Sequence, residues 1–323
     1  MKIYIVGQGA VGTFLGDALR RESTEVAYAP RDLNDVTPFE ADLAIVAVKS
    51  YDTGSAIATL QRALGTQTTA TILCPQNGVG NEEKLAAAFG ADQIVACALT
   101  VPIERTRDGG SAPSNAGGIA LAPVGSNAHN WLVAAFEQTD IPVKVSSDYR
   151  SLKWSKLALN VVANASCAIL NVVPERLVKF EDVFTLEIRA IRECRAVMQA
   201  LGVTPIDLPR YPVRALQSVV SLPSPVARAI LASRIAGARG SKPPSLLLDL
   251  RASKGETEVE VLNGAVAAYG RTHGVATPVN SVFARVLADI AHLPQLWAKY
   301  RERPAALAAE VRAEEERSRT SRL

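Results

Sequence analysis

The 323-residue chain is long enough for two domains, and 48% hydrophobic against 21% charged residues is the balance of a globular protein, not a disordered one. Its 35 basic and 32 acidic residues leave a net charge of +3, too even a balance to suggest a nucleic-acid partner. Three histidines and four cysteines, scattered and without ligand spacing, argue against a metal site and for buried free thiols in a reducing compartment.

Residues 2–6 form a short β-branched run that passes directly into a glycine turn, so no signal peptide is expected. No uncharged apolar run reaches the ~18 residues of a membrane span, so a cytoplasmic protein without a membrane partner is expected. The turn reads Gly7-Gln8-Gly9-Ala10-Val11-Gly12, followed by a helical pattern and a second strand over Glu25–Ala29. Strand, G-x-G-x-x-G, helix and strand together are the setting a dinucleotide fingerprint needs. Gly7 permits the tight turn, Gly9 lets backbone approach a pyrophosphate, and Gly12 lets helix and strand pack closely. The helix N-terminus then offers amides and partial positive charge to phosphates.

After the second strand come Arg31 and Asp32. A guanidinium suits a ribose 2′-phosphate and a carboxylate a free 2′-hydroxyl. Arg31 comes first, which favours NADP(H), with Asp32 the alternative. Residues 41–48 read as a third strand covered on both faces, with Lys49 at its carboxyl end, where cofactor or substrate is met in such sheets. Residues 69–74 repeat the pattern and lead to Gln76-Asn77-Gly78, where Asn77 is either a ligand-facing amide or a turn residue. Further strands are expected at 93–104, 118–124 and 141–145, with 111–118 as loop.

Near Ser146 the alternation gives way to long helices, with Ser146 to Asp148 as an N-cap. The expected division is a Rossmann-type domain over 1–146, a helical substrate domain over 147–304, and a charged, frayed tail over 305–323. Ser155 to Val173 holds no Gly or Pro and reads as one buried helix. In it Lys156, Asn160 and Asn164 recur every four residues, drifting only ~40° per step, so a continuous helix would place them on one face. An ammonium and two amides against an apolar core would cost several kcal/mol without partners. A ligand-facing stripe, an interhelical network, or a lysine snorkelling to solvent each answers that cost. Residues 237–245 read as loop, Thr257 and Glu260 have capping-box spacing with Glu258 between them, and Pro278 suits the first turn of another helix.

The chain resembles the ketopantoate reductase family from Met1 to about His292. The likeness rests on the glycine turn, Val48-Lys49, Gln76-Asn77-Gly78-Val79-Gly80, Trp154-Ser155-Lys156 with Asn160 and Asn164, Pro244-Ser245 with Asp249, and Thr257-Glu258 with Asn263-Gly264. It implies an α/β fold, a Rossmann-type dinucleotide-binding domain followed by an all-α C-terminal domain, with a cleft between them. It also implies NADPH-dependent reduction of a 2-oxo acid, foremost 2-dehydropantoate to pantoate. Lys156 is then the general acid and Glu258 its catalytic companion. Asn160, Asn164 and Ser245 hold the substrate, while Asn77 and Lys49 form the opposite wall with the cofactor. Leu246 replaces the family's usual Met, and Val259-Glu260 its usual Ile-Asp, which bears on the substrate. The rival readings are a related NADP-dependent hydroxy-acid dehydrogenase and a non-catalytic NADP(H)-binding sensor. Apolar faces on the helical half permit a homodimer.

Overall fold

Alternation in the first strand shows how the sheet is covered. In β1 (Lys2–Val6), Ile3 and Ile5 turn to one face, Tyr4 and Val6 to the other, and all four are buried. The first pair packs with Phe14 and Leu15 of α1 (Ala10–Ala18). The second packs with Ala56 and Leu60 of α2 (Thr53–Leu64) and Leu85 of α3 (Asn81–Phe89). This computed structural model describes residues 1–106, 110–113, 116–239, 241–253 and 255–320.

Strands β2 (Glu25–Tyr28), β3 (Leu43–Val46), β4 (Thr71–Cys74) and β5 (Ile94–Leu99) join β1 in a parallel sheet ordered β2-β1-β3-β4-β5. The β2–β3 connection carries only a 3-10 turn at Leu33–Asp35, as the short spacer from Arg31 to Glu40 requires. Run 93–104 divides at Val101-Pro102, where proline lacks the N–H a continuing strand would donate. Its second part, β6 (Ile103–Arg105), pairs with β7 (Ser111–Pro113) inside the expected loop 111–118, of which Ser114 and Asn115 lie outside the described residues. Three-residue strands are too short for periodicity to reveal. Strand β8 (Ile119–Pro123) runs antiparallel to β5, helix α4 (Asn130–Glu137) follows, and β9 (Val143–Val145) closes the sheet beside β8.

Packing divides the chain into two units. The first is Met1–Lys156 with the returning segment Ile206–Pro212. That segment is tied by Ser155 Oγ to Ile206 N–H (2.8 Å) and by Thr100 Oγ1 to the Pro209 carbonyl (3.0 Å). The second is Leu157–Pro205 and the chain from Val213. The boundary falls inside α5 (Tyr149–Val161), whose first turn is capped by Asp148 accepting from Arg150 N–H (2.9 Å).

The second unit is helical: α6 (Ala165–Leu170), α7 (Pro174–Leu177), α8 (Glu181–Ala200), α9 (Val213–Val219), α10 (Ser224–Arg239), α11 (Ser245–Arg251), α12 (Asn263–Thr272), α13 (Pro278–His292), α14 (Trp297–Tyr300) and α15 (Pro304–Thr320). Helix α10 runs on through 237–239, expected as loop, and Gly240 lies outside the described residues. Pro278 sits in the first turn of α13, whose leading amides at Val279 and Asn280 donate to the Glu193 carboxylate of α8. The segment from 305, expected as a frayed tail, is helix α15. Leu307, Ala308 and Val311 recur on one face of it and are buried, which the charged neighbours conceal in a composition count. Residues 321–323 of that segment lie outside the described residues. Among the described residues no helix is long and apolar enough to cross a membrane.

Candidate active site

In the first unit the candidate residues gather at the carboxyl ends of adjacent strands. The sheet order reverses direction between β1 and β3, the switch point where open α/β sheets bind ligands. The glycine loop leaves β1 there, and Lys49 stands half-buried past the end of β3. Gly7 has φ +108, and a Cβ on it would lie 2.7 Å from the Ala47 carbonyl. A Cβ on Gly12 would lie 2.0 Å from the Gly7 carbonyl oxygen. These two contacts fix loop, helix and β3 against one another. Gly9, by contrast, faces open space where a side chain would stand, and no side chain caps the N-terminus of α1. Gln8 is exposed, and Ala10 and Val11 are half-buried in the first helical turn. Exposed amides over an open floor fit a dinucleotide's phosphates.

Past β2 the two ribose candidates separate. Asp32 turns its carboxylate inward to accept from Asn34 N–H (2.8 Å), capping the 3-10 turn. Arg31 is exposed, and no hydrogen bond or ion pair ties its guanidinium to the described residues.

Beyond β4 a buried network locks the turn that carries Asn77. The Gln76 amide donates to the carbonyls of Val48 (3.2 Å) and Lys49 (3.4 Å) and to Thr53 Oγ1 (2.9 Å). Thr53 in turn donates to Asn81 Oδ1 (3.1 Å), and Asn81 Nδ2 to the Asn77 carbonyl (3.1 Å). Asn77 itself is half-buried. The Gln76 carbonyl receives the ammonium of Lys153, which also pairs with Glu82 at 2.8 Å and reaches the Cys97 carbonyl at 3.5 Å. Both members of that ion pair are at most 2% exposed. Burial alone would lower the Lys153 pKa, but Glu82, with the thiols Cys74 and Cys97, outweighs it and holds the value above the ordinary one.

Lys156 lies one turn beyond Lys153 on α5 and is half-buried. Its charge is felt at Cys97: burial pushes that thiol to about 12 against the pull of Lys153 and, more weakly, Lys156. Lys156 belongs to the same unit as the glycine loop.

In the second unit the expected continuous helix is broken. Helix α5 ends at Val161, Ala163 adopts φ +50, and α6 starts at Ala165 with Asn164 as its N-cap residue. A left-handed alanine costs ~1–2 kcal/mol, and here the fully buried Glu187 of α8 accepts the Ala163 N–H. Asn160, half-buried, keeps its four-residue relation to Lys156 along α5; Asn164 does not, because the turn swings it away. Asn164 is 4% exposed, and its Oδ1 accepts from Leu246 N–H (3.2 Å) beside Ser245, the exposed first residue of α11. Asn164 and the Ser245 segment are thus brought together. Glu258 is buried in a 3-10 turn, Glu258–Val261, capped by Thr257 Oγ1, where the spacing to Glu260 had suggested an α-helix. Helix α12 starts only at Asn263.

Lys153, Glu82 and Glu187 escape sequence reasoning. Glu82 reads as a dipole-matched first-turn acid and Lys153 as a lysine free to snorkel. Only their common burial reveals the pair.

A family model described as ketopantoate reductase PanE/ApbA matches residues 27–124, and one described as its C-terminal part matches 148–291. A 2-dehydropantoate 2-reductase of Halobacterium salinarum is 33% identical over 260 residues, 79% of this chain and 77% of that one. A solved PanE/ApbA family ketopantoate reductase of Ralstonia eutropha is similar with TM-score 0.74 and 28% identity, covering 91% of this chain and 100% of the other. D-mandelate dehydrogenase with NADH reaches TM-score 0.72 at 19% identity over 90% of this chain and 99% of its own, a likeness of fold alone.

Proposed function

The chain belongs to the ketopantoate reductase family, an oxidoreductase family that reduces 2-oxo acids with a nicotinamide cofactor, and from that premise we propose 2-dehydropantoate as substrate and NADPH as cofactor. The observation that carries the reading is Lys156, a half-buried ammonium one turn beyond Lys153 on α5, in the unit that holds the glycine loop. NADPH is supported by the division of labour after β2, with Asp32 spent on its turn and Arg31 left to meet a 2′-phosphate.

A bound nicotinamide supplies the hydride that converts the ketone carbon to an alcohol carbon. The remaining work falls to side chains. Lys156 Nζ donates the proton to the ketone oxygen as negative charge develops there, and stabilises that charge beforehand. Asn160 and Asn164 orient the 2-oxo acid. Because Leu246 N–H occupies the Asn164 carbonyl, the Asn164 amide nitrogen is the group that donates. Ser245 binds the carboxylate, and Glu258 is the acidic partner of the catalytic lysine. Asn77 and Lys49 are assigned to the cofactor and the reacting end of the substrate.

The test is NADPH oxidation with 2-dehydropantoate beside a panel of straight-chain, branched and aromatic 2-oxo acids, repeated with NADH. The reading expects the highest kcat/KM for 2-dehydropantoate with NADPH. An aromatic 2-oxo acid reduced faster, or a preference for NADH, would overturn the substrate or the cofactor assignment respectively.

A further inference from the structure

Ala163 is the one residue of the lysine–asparagine stretch with a left-handed backbone, and it is fully buried. Nothing in its side chain favours φ +50; glycine or asparagine would adopt it more readily. The conformation must be held from outside. Glu187 is placed to hold it: a side chain with no exposure, in mid-α8, whose Oε2 accepts the Ala163 N–H. An aliphatic residue at 187 would fill the same core without burying a carboxylate.

The contact leads onward through two more observed links. The turn at Ala163 sets the backbone of Asn164 (φ -106, ψ -65) as it enters α6. Asn164 Oδ1 then holds the Leu246 N–H, the amide next to Ser245 at the start of α11. One carboxylate on α8 thereby governs the direction of one assigned substrate residue and the seat of another.

We propose that Glu187 is a positioning residue for 2-oxo acid binding, acting through the left-handed turn at Ala163 on Asn164 and the Ser245 segment. The inference rests on the substrate roles proposed for Asn164 and Ser245. Glu187 touches neither reactant in this account; it sets the geometry of groups that do.

Glu187→Leu removes the acceptor, Glu187→Gln keeps a neutral one, and Ala163→Gly makes φ +50 accessible without a restraint. In Glu187→Leu the KM for the 2-oxo acid should rise about tenfold or more, a loss of ~1.4 kcal/mol per decade, with the KM for NADPH unchanged. Glu187→Gln should stay within about threefold of wild type, since a neutral acceptor weakens the bond without abolishing it. Adding Ala163→Gly to Glu187→Leu should recover much of the lost affinity. A merely structural carboxylate would lower Tm without that selective KM change or its rescue by glycine. Wild-type KM in a folded Glu187→Leu variant, or a raised KM that Ala163→Gly leaves unrelieved, overturns the proposal.

Amide hydrogen exchange at Ala163 and Leu246 reads the tether without any substrate. If the wild-type enzyme turns over no 2-oxo acid, the functional reading fails. Quickened exchange at both amides in Glu187→Leu then still supports the tether, and unchanged exchange refutes it. Should Glu187→Leu not fold, Glu187→Ala with Ala163→Gly takes its place in the exchange comparison; unchanged protection at the amides of residue 163 and Leu246 without the carboxylate counts against the proposal.

Discussion

Lys156 and its neighbours show how far single residues can be read from their company. A lysine and an asparagine four apart in an apolar run stand out because burial without partners is costly, and both are half-buried on α5. The place of Asn164 could not be read from the sequence, since the turn before it has its Ala163 N–H bonded to Glu187, 23 residues beyond Asn164 and on another helix. The fully buried carboxylate itself looks in sequence like any acid on a long helix. If Lys156 is the proton donor, Lys156→Ala should lower kcat by about 10²- to 10⁴-fold while leaving NADPH affinity near wild type. Stopped-flow turnover and fluorescence titration with NADPH separate the two effects, and undiminished turnover would remove Lys156 from the chemistry.

At the scale of elements, starts were easier to read than stops. Asp148 before α5 and Pro278 in α13 act through their own local chemistry. The end of α5 answers to a distant side chain and gave no local sign. The same holds for what ties α5 to the sheet. Lys153 joins α5 to Glu82 on α3 and to the carbonyls of Gln76 and Cys97, three groups outside its own helix. A buried charge stripped of its partner is costly, so Lys153→Met should destabilise by ~3–5 kcal/mol. Replacing both charges, Lys153→Met with Glu82→Leu, should recover most of that loss in urea unfolding. Equal destabilisation in the single and double variants would show that the two charges are not coupled.

On the scale of the whole molecule, the glycine turn and βα alternation made the parallel sheet legible, and apolar periodicity made most of the helical half legible. The two-stranded ribbon and α15 were not, the first for its brevity and the second because charge masks its buried face. Helix α15 is held in the second unit by Glu310, which accepts from Lys299 (2.7 Å), Arg285 (3.1 Å) and Tyr300 (3.1 Å). Lys299 foremost, then Arg285 and Tyr300, keep its carboxyl at about 2 despite partial burial. A depressed carboxyl stabilises the folded state above its unfolded value of about 4.3 and loses that contribution as pH falls toward 2. Glu310→Gln should therefore lower stability at neutral pH by about 1 kcal/mol and flatten the acid side of the profile between those values. Urea midpoints measured from pH 7 down to 2 check it; parallel wild-type and variant curves across that window would refute it.

The returning segment Ile206–Pro212 has a consequence for how the chain is made. Since the first unit takes part of its own packing from residues some fifty positions downstream of Lys156, a ribosome that has delivered only the nucleotide-binding portion has delivered an unfinished body. The three helices that follow α5, from α6 to α8, must emerge before the brace arrives, so maturation of the early half waits on translation of the later one.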